Sequence, residues 1–204
     1  MSTVAAISTP LSEGGIAVIR ISGDKAFSVA EKVFRPVSSE KKISEMKGYT
    51  CAFGKIFMGD EAIDEGVLTV FRAPKSYTGE DVIEISCHGG VFVAKKVLSA
   101  TIKAGCEIAA AGEFTKRAFL NGKLSLTEAE SVIDIISAGG EQARKAAVSA
   151  KEGALYKRIS SVKDKILKIL GELSAWVDYP EEDIMELTPE ELSSTLKNIH
   201  EELL

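Results

Sequence analysis

Ile16-Ala17-Val18-Ile19-Arg20-Ile21-Ser22, set between Gly14-Gly15 and Gly23, is the stretch on which the fold turns. Its near-continuous apolar character between glycine breaks reads as a strand. Working outward, strand signals recur at Val4–Ile7, Tyr49–Phe57, Gly66–Phe71, Asp81–Ser86 and Glu107–Ala110. Helical stretches at Lys25–Val33 and Val91–Ala104 lie between them. Gly, Pro and Ser punctuate the junctions at Pro10–Gly15, Arg35–Ser39 and Ala73–Gly79. Residues 1–123 therefore read as one mixed α+β domain.

After Lys123 the pattern is helical only. Thr127 with Glu130 has the form of a capping box and opens a helix to about Ala138. Gly139-Gly140 permits a break. Leu155, Ile159, Val162, Ile166, Leu170, Leu173 and Val177 then follow at steps of three and four, one apolar stripe on a long helix. Tyr179-Pro180 is expected to end it. Thr188-Pro189-Glu190-Glu191 is a second capping box, with proline at the first helical position. Its helix carries Leu192, Leu196, Ile199 and Leu203 on one face and runs without a stop signal into Leu204, which suggests truncation. Residues 124–204 read as an all-α segment.

The chain has 204 residues, 45% hydrophobic and 27% charged, enough for a real core. No apolar run approaches the roughly 20 residues that span a bilayer, and Met1-Ser2-Thr3-Val4 does not open a signal peptide. Cys51, Cys87 and Cys106 are odd in number and widely spaced, which fits a reducing cytoplasm rather than a disulfide framework or zinc site. Charge is uneven. Residues 1–123 hold 16 Lys and Arg against 14 Asp and Glu, net +2; residues 124–204 hold 9 against 16, net −7. An acidic helical part is a poor footprint for nucleic acid, so any RNA contact would come from local patches, an oligomer or other sequence.

Two charges stand inside apolar strands. Alternation places Arg20 with Ile16 and Val18, and Glu84 with Val82. Such charges are costly unless paired or facing a polar ligand. Either a structural Arg20–Glu84 salt bridge or a pocket in which a carboxylate reads N–H donors and a guanidinium reads oxygens satisfies the pattern. Gly14-Gly15 and Cys87-His88-Gly89-Gly90 are turns that let backbone approach a ligand, or merely turns. His88 has no metal-site company, and His200 lies off its helix's apolar stripe, where solvent is the expected surrounding. The acidic run Asp178-Tyr179-Pro180-Glu181-Glu182-Asp183 reads as a solvated loop, with a Mg²⁺ role as an alternative that nothing else in the sequence supports. No Gly-x-x-x-x-Gly-Lys-[Ser/Thr] and no Gly-x-Gly-x-x-Gly after a strand is present.

Three signatures, taken together, resemble one family. They are Thr9-Pro10 through Glu13–Gly23, Ser76–Glu84 followed by Cys87-His88-Gly89-Gly90, and Ala111–Lys123. With Leu124–Asp134 and Asp178–Asp183 they are similar, in order, to the MnmE/TrmE tRNA-modification GTPases. The resemblance implies a folate-binding, aminomethyltransferase-like N-terminal domain that mediates homodimerisation, followed by a helical domain interrupted by a K⁺- and Mg²⁺-dependent GTPase domain. It implies 5-formyltetrahydrofolate as one-carbon donor and an FAD-dependent partner protein. The implied reaction is aminomethyl-type modification at C5 of the wobble uridine of tRNA. Carried over by motif, Arg20, Glu84 and Lys123 fall on the family's folate-binding positions, Glu84 facing the pterin N–H edge and the two cations facing oxygens.

Ser12 stands where the family usually has glycine, and Gly139-Gly140 where a more helix-friendly pair is usual. The GTP-binding domain and the C-terminal Cys-x-Gly-Lys motif, with the family's proposed catalytic cysteine, are expected beyond this sequence; Cys87 and Cys106 do not match that motif. A stand-alone folate-binding or dimerisation module is the alternative. An independent one-carbon transferase would need a general base that the sequence does not offer.

Overall fold

A computed structural model describes residues 1–38, 42–151, 153–178 and 188–203. The chain divides into two compact units, Met1–Leu124 and Ser125–Leu204.

The first unit is built on strands β1 (Val4–Ile7), β2 (Ile16–Ser22), β3 (Phe34–Pro36), β4 (Thr50–Met58), β5 (Glu61–Phe71), β6 (Val82–His88) and β7 (Glu107–Ile108). They form one sheet in the order β3-β4-β5-β6-β2-β1-β7. Every neighbouring pair is antiparallel except β1 with β7, which is parallel. Helices α1 (Ala26–Val33) and α2 (Val91–Lys103) share one buried cluster with one face of the sheet. Period-2 alternation sends Ala17, Ile19 and Ile21 of β2, Ile83 and Ile85 of β6, and Leu68 and Val70 of β5 into it. Each isoleucine fully buried there contributes on the order of 1.5–3 kcal/mol. Ala26, Val29, Ala30 and Val33 of α1 and Ala94, Val97 and Ala100 of α2 meet them.

The other sheet face carries Val18, Arg20, Ser22, Glu84 and Ser86. Toward its Ser22 end it is covered by the Pro74–Glu80 turn and helix α3 (Glu113–Leu120), and there Ser22, Thr78, Val82, Arg117 and Ala118 are buried. At the opposite end Ile16 is 67% exposed.

Several expectations need correction. Ile16 and Val18 do not mark the core face, so Arg20 does not interrupt the packed interior. Strand β5 begins at Glu61, ahead of the expected Gly66, because Met58 and Glu61 pair across a Gly59-Asp60 hairpin with Gly59 at φ +63°. The polar Glu61–Glu65 segment carries no apolar alternation to announce it. Strand β3 and helix α3 were not expected as elements, while β7 covers only Glu107–Ile108 of the expected Glu107–Ala110.

In the second unit, helices α4 (Leu126–Ser137), α5 (Glu141–Lys151), α6 (Ala154–Asp178) and α7 (Pro189–Leu203) follow one another. The capping box of α4 is Ser125 with Glu128, not Thr127 with Glu130. The Glu128 amide donates to Ser125 Oγ at 3.3 Å, and the Ser125 amide to Glu128 Oε2 at 2.6 Å. The box at α7 is the expected one, the Glu191 amide donating to Thr188 Oγ1 at 3.2 Å and the Thr188 amide to Glu191 Oε2 at 3.1 Å. Gly139-Gly140 separates α4 from α5, a helix the sequence did not announce. The α6 stripe is not buried as a whole. Val162 and Ile169 pack with Ile199, flanked by Leu173 and Leu192, whereas Ile159, Ile166, Leu170 and Val177 are exposed. His200 is exposed. Tyr179-Pro180 and the acidic residues Glu181 to Asp183 lie outside the described residues, as does the side chain of Leu155.

Candidate functional site

Strands β2 and β6 bring Arg20 and Glu84 directly opposite each other in register. Arg20 Nε donates to Glu84 Oε1 at 2.8 Å, and Nη2 lies 2.7 Å from the same oxygen. The salt bridge of the first reading therefore exists. It is not sealed, for the two side chains keep 27% and 23% of their surface. Solvent at both partners limits its stabilisation to about 1 kcal/mol or less. Glu84 Oε2 carries no hydrogen bond among the described residues. The Arg20 guanidinium carbon lies 5.6 Å from the centre of the Tyr77 ring and 5.3 Å from that of Phe114, within cation–π range of both.

Lys123 is placed differently. Its Nζ donates to the Pro74 carbonyl at 3.1 Å, and its stem runs along Gly79, where an added Cβ would meet Lys123 Cγ at 3.3 Å. Lys123 forms no ion pair with Arg20's partner Glu84 or with any other described carboxylate. The structure thus joins Arg20 to Glu84, and ties Lys123 to the turn that carries Tyr77.

A polar cluster underlies that turn. Arg117, with 3% of its side chain exposed, donates from Nη1 to Glu80 Oε2 at 3.0 Å and from Nε to Glu113 Oε1 at 3.1 Å. Ser22 Oγ donates to Glu80 Oε2 at 2.7 Å and lies 2.8 Å from Thr78 Oγ1. Burial works against the Arg117 charge, but the hydrogen bonds to Glu80 and Glu113 outweigh it and raise its pKa further.

At the far end of β6, His88 Nδ1 lies 2.7 Å from Asp64 Oδ1, and the His88 amide donates to Asp64 Oδ2 at 2.9 Å. The Asp64 hydrogen bond and charge raise the His88 pKa. A cavity of about 220 Å³ lies beside this pair, lined by Gly15, Ile16, Phe53, Val67 and Ser86 among others. Larger hollows of 470 and 530 Å³ flank α7, but no functional cluster lines them, so the chemistry and not the volume decides where the site is. Burial pushes the Cys87 and Cys106 thiols up to about 11, which keeps both protonated and poor as nucleophiles. Among the described residues no group of three His, Cys, Asp or Glu side chains is placed to hold a metal ion.

The geometry lies within segments that known proteins share. Residues 3–123 match the family profile described as the GTP-binding protein TrmE N-terminus, and residues 126–204 match the MnmE helical domain. The chain belongs to the MnmE family. It is 48% identical over 201 residues to the tRNA modification GTPase MnmE of Carboxydothermus hydrogenoformans, covering 98% of this chain and 43% of that protein. Proteins of the same name from Acetivibrio thermocellus and Clostridioides difficile are 44% and 46% identical, over 98% of this chain and 44% and 43% of theirs. The chain thus spans less than half the length of these relatives.

In this MnmE-family chain the sequence missed Tyr77, Phe114, Glu80, Arg117 and Asp64. Glu113 and Arg117 stand four apart and could have been noticed as a helical ion pair. That spacing reads as a solvated surface pair, and nothing local says that the helix lies on the sheet. Asp64 comes from a distant strand and had no local signal.

Proposed function

We propose that the first unit binds 5-formyltetrahydrofolate, a tetrahydrofolate carrying a one-carbon unit, through Glu84, Arg20 and Lys123. The observation that carries this reading is the half-open Arg20–Glu84 pair. Glu84 Oε2 is free to accept, the guanidinium keeps N–H groups beyond those used on Oε1, and Tyr77 and Phe114 flank it. A flat heterocycle with adjacent N–H and carbonyl groups fits that combination of acceptor, donor and ring faces. Lys123 Nζ, with one of three donors on Pro74, has two for a formyl or carboxylate oxygen. The ligand brings the one-carbon unit; these residues bind and orient it.

In the whole protein, this unit serves as the folate-binding and dimerisation part of a cytoplasmic tRNA-modifying GTPase. GTP, K⁺ and Mg²⁺ act in a separate GTPase domain. The complete enzyme works with an FAD-dependent partner on aminomethyl-type modification at C5 of the wobble uridine. Family membership supports this reading, as do the relatives' names.

Glu84→Gln tests the site. It keeps the shape and removes a charge-assisted acceptor worth roughly 1.5–3 kcal/mol, so titration calorimetry should show affinity for 5-formyltetrahydrofolate falling about tenfold to a hundredfold. Unchanged affinity with a modestly lowered melting temperature would leave only the salt bridge.

A further inference from the structure

The Arg117 cluster touches neither Arg20 nor Glu84, yet the segments that carry Tyr77, Phe114 and Lys123 are tied to it. Three pieces of chain meet at the Glu80 carboxylate: the end of β2 through Ser22, the Pro74–Glu80 turn, and α3 through Arg117. Tyr77 sits between two residues pinned to this hub, Ser76 through the Glu80 carbonyl at 2.5 Å and Thr78 through Ser22 at 2.8 Å. Phe114 follows Glu113, the second carboxylate on Arg117. The α3 side is bound to the turn twice more, Asn121 Nδ2 donating to the Thr78 carbonyl at 2.7 Å and Tyr77 Oη lying 2.9 Å from Thr115 Oγ1. Lys123 lies just past α3 and spans Gly79 and Pro74, both in the turn. Glu84, on β6, needs none of this.

A buried ion pair returns little net stability compared with apolar residues of the same volume. What a guanidinium adds is direction, because its planar fork fixes two acceptors at set angles. Here Nη1 is committed to the turn and Nε to the first turn of α3. We infer that Arg117 and Glu80 are positioning residues of the ligand site, locking the Pro74–Glu80 turn and α3 into one wall that holds Tyr77 and Phe114 against Arg20 and Lys123 beside them. What the wall helps to bind rests on the folate reading above; the lock itself does not.

Arg117→Lys keeps the charge and loses the fork. In the whole chain it should speed hydrogen exchange in peptides covering residues 74–81 without ligand, and weaken 5-formyltetrahydrofolate binding about tenfold. In a Tyr77→Ala background, where one of the wall's two rings is already gone, the same substitution should cost less than it does alone, since the two act through one element. A purely structural Arg117 would lower the melting temperature and leave affinity, measured well below it, within about twofold. That result overturns the inference, as does a full loss of affinity that persists in the Tyr77→Ala background. If the unaltered chain binds no folate, the folate reading falls. Exchange in 74–81 then still decides the lock: faster supports it, unchanged overturns it. Should Arg117→Lys fail to fold, Glu80→Gln, which weakens the same pair from the turn side, is measured in its place with the same outcomes.

Discussion

The two units hold their helices by different means. In the first, α1 and α2 begin at Lys25 and Gly90 with no side-chain cap, yet each lays a row of small and branched residues onto the sheet. In the second, α4 and α7 both open with complete capping boxes, yet Ile133 and Ile136 of α4 are 69% and 79% exposed. Along α6, Leu167, Leu170, Trp176 and Val177 also face outward. Capping fixes where a helix starts, at about 1 kcal/mol, while packing decides whether it stays. The first unit is held by tertiary burial, the second by local signals around the small cluster of Val162, Ile169 and Ile199.

The largest expected effect breaks or sustains that contrast. Leu68→Ala removes a fully buried side chain from the sheet core and should cost about 2–5 kcal/mol. Leu170→Ala, at a position 56% exposed, should change stability by no more than about 0.5 kcal/mol. Trp176 is the single tryptophan and lies in the second unit, so its fluorescence follows that unit alone, while far-ultraviolet dichroism follows both. Urea unfolding should show the Trp176 transition at lower denaturant than the loss of sheet signal. Coincident transitions, or a Leu170→Ala cost as large as that of Leu68→Ala, would mean that the outward face of α6 is covered in solution.

A smaller effect sharpens the contrast at one residue. Ser125→Ala removes the Oγ that caps α4 and should cost about 1 kcal/mol, read in the Trp176 transition. Thr127→Ala should cost well under that, because Thr127 Oγ1 only approaches Ser125 Oγ, at 3.2 Å. If the order were reversed, the box expected from Thr127 and Glu130 would be the operative one.

That box shows where sequence reading loses resolution. Thr127/Glu130 and Ser125/Glu128 satisfy the same three-residue spacing, and only the actual first turn distinguishes them. Strands β1 and β2 were readable to the residue because their apolar runs stop at clear breaks. The Glu61–Glu65 half of β5 was not, since its pairing is set by the Gly59 turn rather than by burial. At the site, Arg20 and Glu84 were visible as charges out of place in apolar strands, and their pairing was one of two open alternatives. Arg117 stood only inside the Ala111–Lys123 signature, with no role read for it; its burial comes from α3 lying over Ser22, a contact between distant pieces of chain that no window of sequence contains.

The smallest effect concerns the exposed end of β6. The Asp64 hydrogen bond, then its charge and that of Glu65, raise the His88 pKa above its ordinary 6.5. Burial works to raise Asp64, but the hydrogen bonds from the His88 side chain and amide and the Glu65 amide outweigh it and hold Asp64 below its ordinary 3.8. The signs differ. A raised histidine stabilises the fold fully below its unfolded value, and this fades as pH rises through the raised folded value. A depressed carboxylate stabilises above its unfolded value and loses this as pH falls through the folded one. The clip between β5 and β6 is therefore fullest between the ordinary Asp value of 3.8 and the ordinary His value of 6.5, and fades as pH rises through the raised His88 value. Cys87, next to His88 in β6 but itself in the buried core cluster, stays protonated across that range because its thiol lies near 11. NMR titration should place the His88 imidazole midpoint above 6.5, and Asp64→Asn, which keeps an acceptor but loses the charge, should bring it back toward that value. His88 lies open to solvent, so the melting temperature should hardly change with this substitution. A His88 midpoint that is the same with Asp64→Asn would show that the pair does not form in solution, and that the turn at Gly89-Gly90 is held by backbone contacts alone, the Gly14 amide on Gly89 O at 3.2 Å and the Gly89 amide on Gly15 O at 3.3 Å.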